Sequence, residues 1–248
     1  ARFFFIDRRL PTHELYELEH VMQIKINPSG IPGELKNISQ WILWRKTKPK
    51  ANGRFGKQPV NSAGYPVSVT DPKNWQTFGL TLEQLEKSSS ADGVGFCLSN
   101  EQVDTPEGKR FIVGIDIDEC VSQESGGLDS DLNPKVRAIL DLVNSYAELS
   151  PSGTGIRAFF LSETPPRGRN KSGFEIYSSG RFLTVTGNGK GQIRTLGCAE
   201  IQKLLTLMFG ETIQQRKPIH AKAKSETTEA VSELQDALNA IPAGISRE

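Results

Sequence analysis

Asp116 and Asp118, separated by one residue, close the apolar run that begins at Phe111. Side chains on a strand alternate between faces, so the two acids project from one side. Phe111, Val113, Ile115 and Ile117 point to the other side and anchor the strand in a core. Two carboxylates so placed repel each other, and each favours its neutral form unless a cation lies between them. Hard divalent ions take such oxygen ligands, and Mg2+ commonly bridges them to substrate phosphates. A strand end with two solvated acids gives the same pattern.

Two further segments carry groups of complementary chemistry. Ser150 to Arg157 holds Ser152, Gly153, Thr154 and Gly155 in a turn ahead of a strand. Successive N–H groups there can form an anion-binding nest, and Arg157 offers a fork-shaped donor to a phosphate. A plain hairpin turn explains the glycines equally well. Farther on, Glu175 and Tyr177 share one strand face and Phe174 and Ile176 the other. Glu175 is an acid in an apolar setting and needs a partner or a metal. Arg181 can neutralise it, or reach the same phosphate as Arg157.

The elements that must position these groups read as an alternating α/β unit from Ile31 to about Phe209. Strands are expected at Gln40–Trp44, Gly93–Leu98, Phe111–Asp118, Tyr146–Leu149, Ile156–Leu161, Phe174–Tyr177 and Phe182–Thr186. The last two are expected to pair through the Ser178-Ser179-Gly180 turn. Asp71-Pro72 forms a helix start that carries Trp75 and Phe78 inward, and Thr81 to Gln84 has the form of a capping box that opens another helix. After the loop Ser122–Asp131, Asn133-Pro134 starts a helix with Val136, Ile139, Leu140 and Val143 on one face. A last helix carries Ile201, Leu204, Leu205 and Met208.

The ends read differently. Residues 1–30 form a peripheral segment, with Leu15, Leu18 and Met22 at helical spacing. Residues 210–229 are polar and basic, the composition of a linker. In 230–248, Val231, Leu234, Leu238 and Ile241 make one face of a short amphipathic helix, marginal on its own.

Composition sets the outer limits. The chain has 248 residues, enough for one good core, and its net charge of +1 does not announce a nucleic-acid binder. Local charge says more: Arg45, Lys46, Lys48, Lys50, Arg54 and Lys57 occur without an intervening acid, beside Trp44 and Phe55. Such a stripe can track phosphates while aromatics stack on bases, although a solvated basic loop has the same composition. Cys97, Cys120 and Cys198 are widely spaced and far from any histidine, so no zinc site or disulfide framework is expected. No apolar run approaches the roughly 18 residues of a membrane helix. A soluble cytoplasmic protein without membrane attachment is the expectation.

The ordered set resembles the archaeo-eukaryotic primase superfamily, in particular the primase–polymerases of phages, plasmids and other mobile elements. The resemblance runs from about Ile31 to Phe209. It rests on Trp41 to Trp44 with its lysine-rich loop, Thr70 to Trp75, Gly93 to Phe96, Gly114 to Asp118, the Ser152 to Gly155 turn, and Glu175-Ile176-Tyr177 running through Gly180-Arg181-Phe182 into Thr184 to Gly187. It implies an α+β fold: a sheet unit like an RNA-recognition motif, packed on an N-terminal α/β unit, with a helical C-terminal tail. It further implies template-directed nucleotidyl transfer in replication of a mobile element, with two Mg2+ or Mn2+ ions on Asp116, Asp118 and Glu175. Ser152, Gly153, Thr154, Arg157 and Arg181 would hold the nucleoside triphosphate, and Lys46, Lys48, Arg54 and Lys57 would guide a single-stranded DNA template and its primer. Residues 234–242 look like the start of the small helical domain that often follows such cores, which implies a helicase farther on. Where the family usually has a histidine, this chain has Arg157. That departure leaves room for a primase-like module that binds nucleic acid without turnover. A metal-dependent nuclease uses similar acids but does not explain the paired arginines.

Overall fold

Apolar residues at every second position, broken by glycine, proline and asparagine turns, build strands that pair almost entirely antiparallel. The structure is a computed structural model and describes residues 24–49, 55–122, 127–128 and 132–210. The chain divides into two compact units, 1–212 and 213–248, and every described residue belongs to the first. The expected N-terminal helix, Arg54, the linker and the C-terminal amphipathic helix all lie outside the described residues.

In chain order the elements are α1 (Gly33–Lys36), β1 (Trp41–Pro49), β2 (Phe55–Val60), α2 (Phe78–Lys87), β3 (Gly93–Ser99), β4 (Gln102–Thr105) and β5 (Gly108–Ile117). There follow α3 (Pro134–Val143), β6 (Tyr146–Leu149), β7 (Ile156–Ser162), β8 (Arg169–Lys171), β9 (Phe174–Tyr177), β10 (Ser179–Val185), β11 (Gly189–Lys190), β12 (Thr195–Leu196) and α4 (Cys198–Phe209). One sheet has the order β10-β3-β1-β2. The other runs β11-β6-β7-β5-β9-β8, with β4 added on β5 and β12 on β7. Mostly antiparallel sheets with a few segregated helices fit the α+β class. Among the described residues no helix is long and apolar enough to cross a membrane.

Strand β5 is buried on both faces, which its sequence pattern only half suggests. Val113, Ile115 and Ile117 pack in a core with Val136, Ile139 and Val143 of α3 and Ile201, Leu204 and Met208 of α4. The opposite face, which carries Ile112, Gly114 and Asp116, looks toward the first sheet. Here Ile112, Phe159 and Leu161 share a second core with Trp41, Phe96, Leu98 and Leu183. Gly114 makes this close approach fit: a Cβ there would stand 2.5 Å from Leu183 Cδ1. Asp116 is therefore the polar end of an otherwise apolar inter-sheet face, not one of two acids on an open surface.

Three local expectations need correction. Strands β9 and β10 do not pair; β9 lies between β5 and β8, and β10 leaves to pair with β3 in the other sheet. The Ser178-Gly180 segment is a crossing between sheets, with Gly180 at φ 67°. Thr81 does not open a helix. Thr77 caps α2 through Leu80 N, and the Thr81 hydroxyl donates back to the Thr77 carbonyl inside it. The Asp71-Pro72 start gives only a 3-10 turn over Pro72–Asn74, so Phe78 reaches the core from α2 instead. The helix at Asn133 forms as its sequence indicates, with Asn133 accepting from Val136 N.

The turn between β6 and β7 comes close to the end of β5. Gly155 packs against it so tightly that a Cβ would lie 2.8 Å from the Ile117 carbonyl oxygen. Gly155→Ala is expected to cost about 1–3 kcal/mol by forcing those backbones apart. Gly79→Ala, whose Cβ meets nothing within 4 Å, is the control and should cost nothing. Urea denaturation of both variants checks the contrast.

Candidate active site

Strand pairing sets one transverse row of polar side chains across five strands. Asn170 on β8 faces Glu175 on β9, which faces Asp116 on β5. Asp116 faces Arg157 on β7, and Arg157 faces Glu148 on β6. Residues directly opposite in antiparallel strands share a face and stand about 5 Å apart at Cβ. The row is thus acid, cation, acid, acid, amide, and it passes from full burial at Glu148 to exposure at Asn170.

Arg157 is the centre of this row. Its side chain is 3% exposed, and its Nη2 donates to Asp116 Oδ2 at 3.3 Å. Its Nε and Nη1 are buried without a hydrogen-bond partner, and so is Asp116 Oδ1. Unmet donors and an unmet acceptor in so dry a place are costly unless another group completes them. Arg157 starts strand β7 as expected, and there its guanidinium is paired with Asp116.

Glu175 accepts from Asn170 Nδ2 at 2.6 Å. Burial pushes its carboxyl above the usual range; the Tyr177 hydroxyl opposes that, and the charges of Asp116 and Asp118 add to it. Register sets Glu175 opposite Asp116, and the Asp118 N–H donates to the Gly173 carbonyl two residues before Glu175, so the three acids lie toward one end of the sheet. Asp118 lies just past β5, exposed, its N–H donating to the Gly173 carbonyl at 2.9 Å. The backbone then turns sharply at Glu119, φ 49°. Among the described residues, no group of three or more His, Cys, Asp or Glu side chains is gathered tightly enough to hold a metal ion. Exposed Arg181 lies 4.8 Å from the Tyr177 ring centroid and lowers the Glu175 carboxyl by its charge.

The glycine turn is ordered by its own hydroxyls. Ser150 Oγ lies 2.9 Å from Ser152 Oγ, and Ser152 Oγ 3.0 Å from Thr154 Oγ1. Gly155 N donates to Ser150 Oγ, Gly153 N to the Ser150 carbonyl, and Gly153 adopts φ 75°. Val121 N donates to the Thr154 carbonyl at 3.1 Å, which ties the turn to the loop after Asp118. This is a self-bonded hairpin turn beside the acids, with Ser152 exposed.

The expected DNA-tracking lysines separate. Lys48 is exposed on β1, whereas Lys46 is half-buried beside the Phe55 ring. Lys57 departs most: burial and the positive charge of Arg157 push its ammonium down to about 8, while Asp116 and Asp118 pull it back up. Cys120 sits near the same acids, and burial pushes its thiol up to about 11, so it stays protonated near neutral pH.

Sequence reasoning passed over Glu148. It is fully buried and accepts from Thr186 N, Gly187 N and the Tyr146 hydroxyl, at 3.0, 2.9 and 2.7 Å. It thereby fixes the end of β10, in one sheet, to β6 in the other. The signal was present: Glu148 is an acid inside a buried strand, the same argument that flagged Glu175.

Burial raises the Glu148 carboxyl above its ordinary range, against its hydrogen bonds. A raised acid contributes less to stability as pH climbs from the ordinary carboxylate range through the raised value. Glu148→Ala is expected to cost about 3 kcal/mol by stranding several buried donors, and Tyr146→Phe about 1.5 kcal/mol. Chemical denaturation of both variants measures this; losses under about 0.5 kcal/mol would show that the link between sheets is dispensable.

No family model matches the chain. It is similar to a protein named DNA Primase-polymerase from Nitratiruptor phage NrS-1, with 28% identity over 216 residues. The match covers 81% of this chain and 26% of the phage protein, so the chain spans about a quarter of that relative's length. The similarity supports a relationship to primase–polymerases.

Proposed function

We propose that residues 31–209 are the nucleotidyl-transfer core of a phage-type DNA primase–polymerase, with the primase arrangement of two sheet units. The observation that carries this reading is Asp116, set between Glu175 and Arg157 with one carboxylate oxygen and two guanidinium nitrogens unsatisfied. A site short of both a cation and an anion suits a metal-bound triphosphate. The similarity to the phage enzyme supports the same reading.

The residues present fit a hard divalent ion. Asp116, Asp118 and Glu175 are oxygen donors, and Asp116 Oδ1 has a lone pair to give. Mg2+ is usually held by one or two carboxylates with the rest of its shell from phosphate and water, which accords with acids that are not drawn into a closed cage. Bound there, Mg2+ or Mn2+ would lower the pKa of the attacking 3′-hydroxyl and screen charge on the phosphates.

The chain's own groups do the positioning. Arg157 and Arg181 would take the triphosphate oxygens, with the Ser152–Thr154 turn at its flank. The 3′-oxygen bonds to the α-phosphorus, the α–β bridging bond breaks, pyrophosphate leaves, and the hydroxyl proton passes to solvent. Lys46, Lys48 and Arg54 would guide a single-stranded template and its primer. A helicase joined to this core and work in the cytoplasm of the host cell belong to the same proposal.

The pairing of Arg157 with Asp116 favours a second reading, in which the cation has silenced the acid and the fold only binds nucleic acid. Primer extension separates them. Asp116→Asn keeps the side chain's shape, and it is expected to lower nucleotide incorporation by about a thousandfold or more while DNA binding persists. Undiminished incorporation would remove Asp116 from the mechanism. Wild-type protein that binds DNA but incorporates nothing with Mg2+ or Mn2+ would establish the second reading.

A further inference from the structure

We infer that Asn170 is a positioning residue for the candidate metal site: its amide fixes the Glu175 carboxylate, so that a divalent ion meets a ligand already in place. The inference rests on the nucleotidyl-transfer reading and adds to that site a residue from β8, the outermost strand of its sheet.

The alternation of β8 singles Asn170 out. Arg169 lies opposite Ile176 and Lys171 opposite Phe174, on the face that packs against the helices. There the Arg169 guanidinium lies 5.6 Å from the Phe209 ring centroid, and the Lys171 ammonium donates to the Phe209 carbonyl at 3.3 Å, both at the end of α4. Asn170, between them, faces the other way. It lies opposite Glu175, and its Nδ2 donates to Glu175 Oε1 at 2.6 Å. The strand thus sends both cations to the helix face and the neutral donor to the acid. A cation opposite Glu175 would pair with it, as Arg157 pairs with Asp116, and would compete with a metal ion. An amide fixes the carboxylate without cancelling its charge.

The hairpin that carries both residues is stiff and is tied to a second acid. A two-residue turn joins β8 to β9, with Ser172 at φ 52° and Gly173 at φ 79°, the paired positive angles that match the twist of a tight hairpin. The Gly173 carbonyl accepts from Asp118 N at 2.9 Å. Asn170, Glu175 and Asp118 are therefore set by one short piece of backbone. The Tyr177 hydroxyl also bonds the Glu175 carboxylate. With about four acceptor sites on the two oxygens, both donors leave room for an ion. Hydrogen bonds that orient a metal ligand beforehand strengthen metal binding, and losing one costs roughly ten- to a hundredfold in affinity or activity. Asn170 is exposed, which sets its effect at the lower end.

The test uses the full chain with Asn170→Ala, Asn170→Gln and Asn170→Lys. Calorimetric titration with Mn2+ in the presence of inorganic tripolyphosphate gives metal affinity. Primer extension at varied Mg2+ gives the half-saturating metal concentration and kcat, and anisotropy of a labelled primer–template gives DNA affinity. Asn170→Ala is expected to weaken Mn2+ binding and raise the half-saturating Mg2+ concentration about tenfold. Its kcat at saturating metal should change less than about threefold and its DNA affinity less than about twofold, with the melting temperature unchanged. Asn170→Gln keeps the amide and should recover part of the loss, whereas Asn170→Lys should exceed it because the cation competes with the ion. Unchanged metal dependence in Asn170→Ala would overturn the inference. So would a lowered melting temperature with kcat and metal affinity falling together in all three variants, which marks a structural role, or weakened DNA binding with metal affinity intact, which places Asn170 on the template path. If the wild type extends no primer, the proposed function fails, and the Mn2+ titrations alone still decide the role of Asn170.

Discussion

Arg157 lies under the sheet surface with Asp116 on one side and Glu148 on the other, and the rest of the site is arranged around that buried cation. A permanent guanidinium in so dry a position needs anionic neighbours. Glu148 is held in turn by two backbone N–H groups and a tyrosine, so its charge is tied to the junction between the sheets. Among the described residues Arg157 makes one side-chain hydrogen bond, to a single oxygen of Asp116. The row is thus under-satisfied at its middle while well bonded at its two ends, where Glu148 meets the backbone and Glu175 meets Asn170. Incomplete polar groups on rigid strands are poor for stability and well suited to binding.

The same frame explains why neither sheet suffices alone. The second sheet carries every member of the row, but Gly114 lets the first sheet pack down beside it, and β10 crosses from Arg181 near Glu175 to Thr186 on Glu148. That crossing exists because β9 and β10 part at Ser178–Gly180 instead of closing a hairpin. The strand after Glu175 thereby becomes an edge of the other sheet and a border of the site.

Much of this was legible in the residues. The apolar alternation of β5, the capped start of α3 and the buried faces of α3 and α4 follow from local pattern. So do the candidate acids, because a carboxylate in an apolar strand is an anomaly at any stage. What local pattern does not carry is partner choice. Ser179 to Val185 reads as a strand whatever it pairs with, and only the inter-sheet core makes β3 its neighbour. For the same reason Lys57 reads as one more cation in a basic stripe, and its partial burial is set by the fold and not by its neighbours in sequence. Thr81 misled for a simpler reason. Thr77 offers the same cap one turn earlier, with Phe78 beside it to bury.

The account stands on one claim: that the gap between Asp116, Glu175 and Arg157 receives a divalent ion and the phosphates it carries. The most direct measurement is anomalous diffraction from crystals grown with Mn2+ and a non-hydrolysable deoxynucleoside triphosphate. The account expects a manganese peak bonded to Asp116 and Glu175, with Arg157 turned from Asp116 to a phosphate oxygen. A nucleotide bound elsewhere, with the Arg157–Asp116 pair intact and no manganese between the acids, would contradict it.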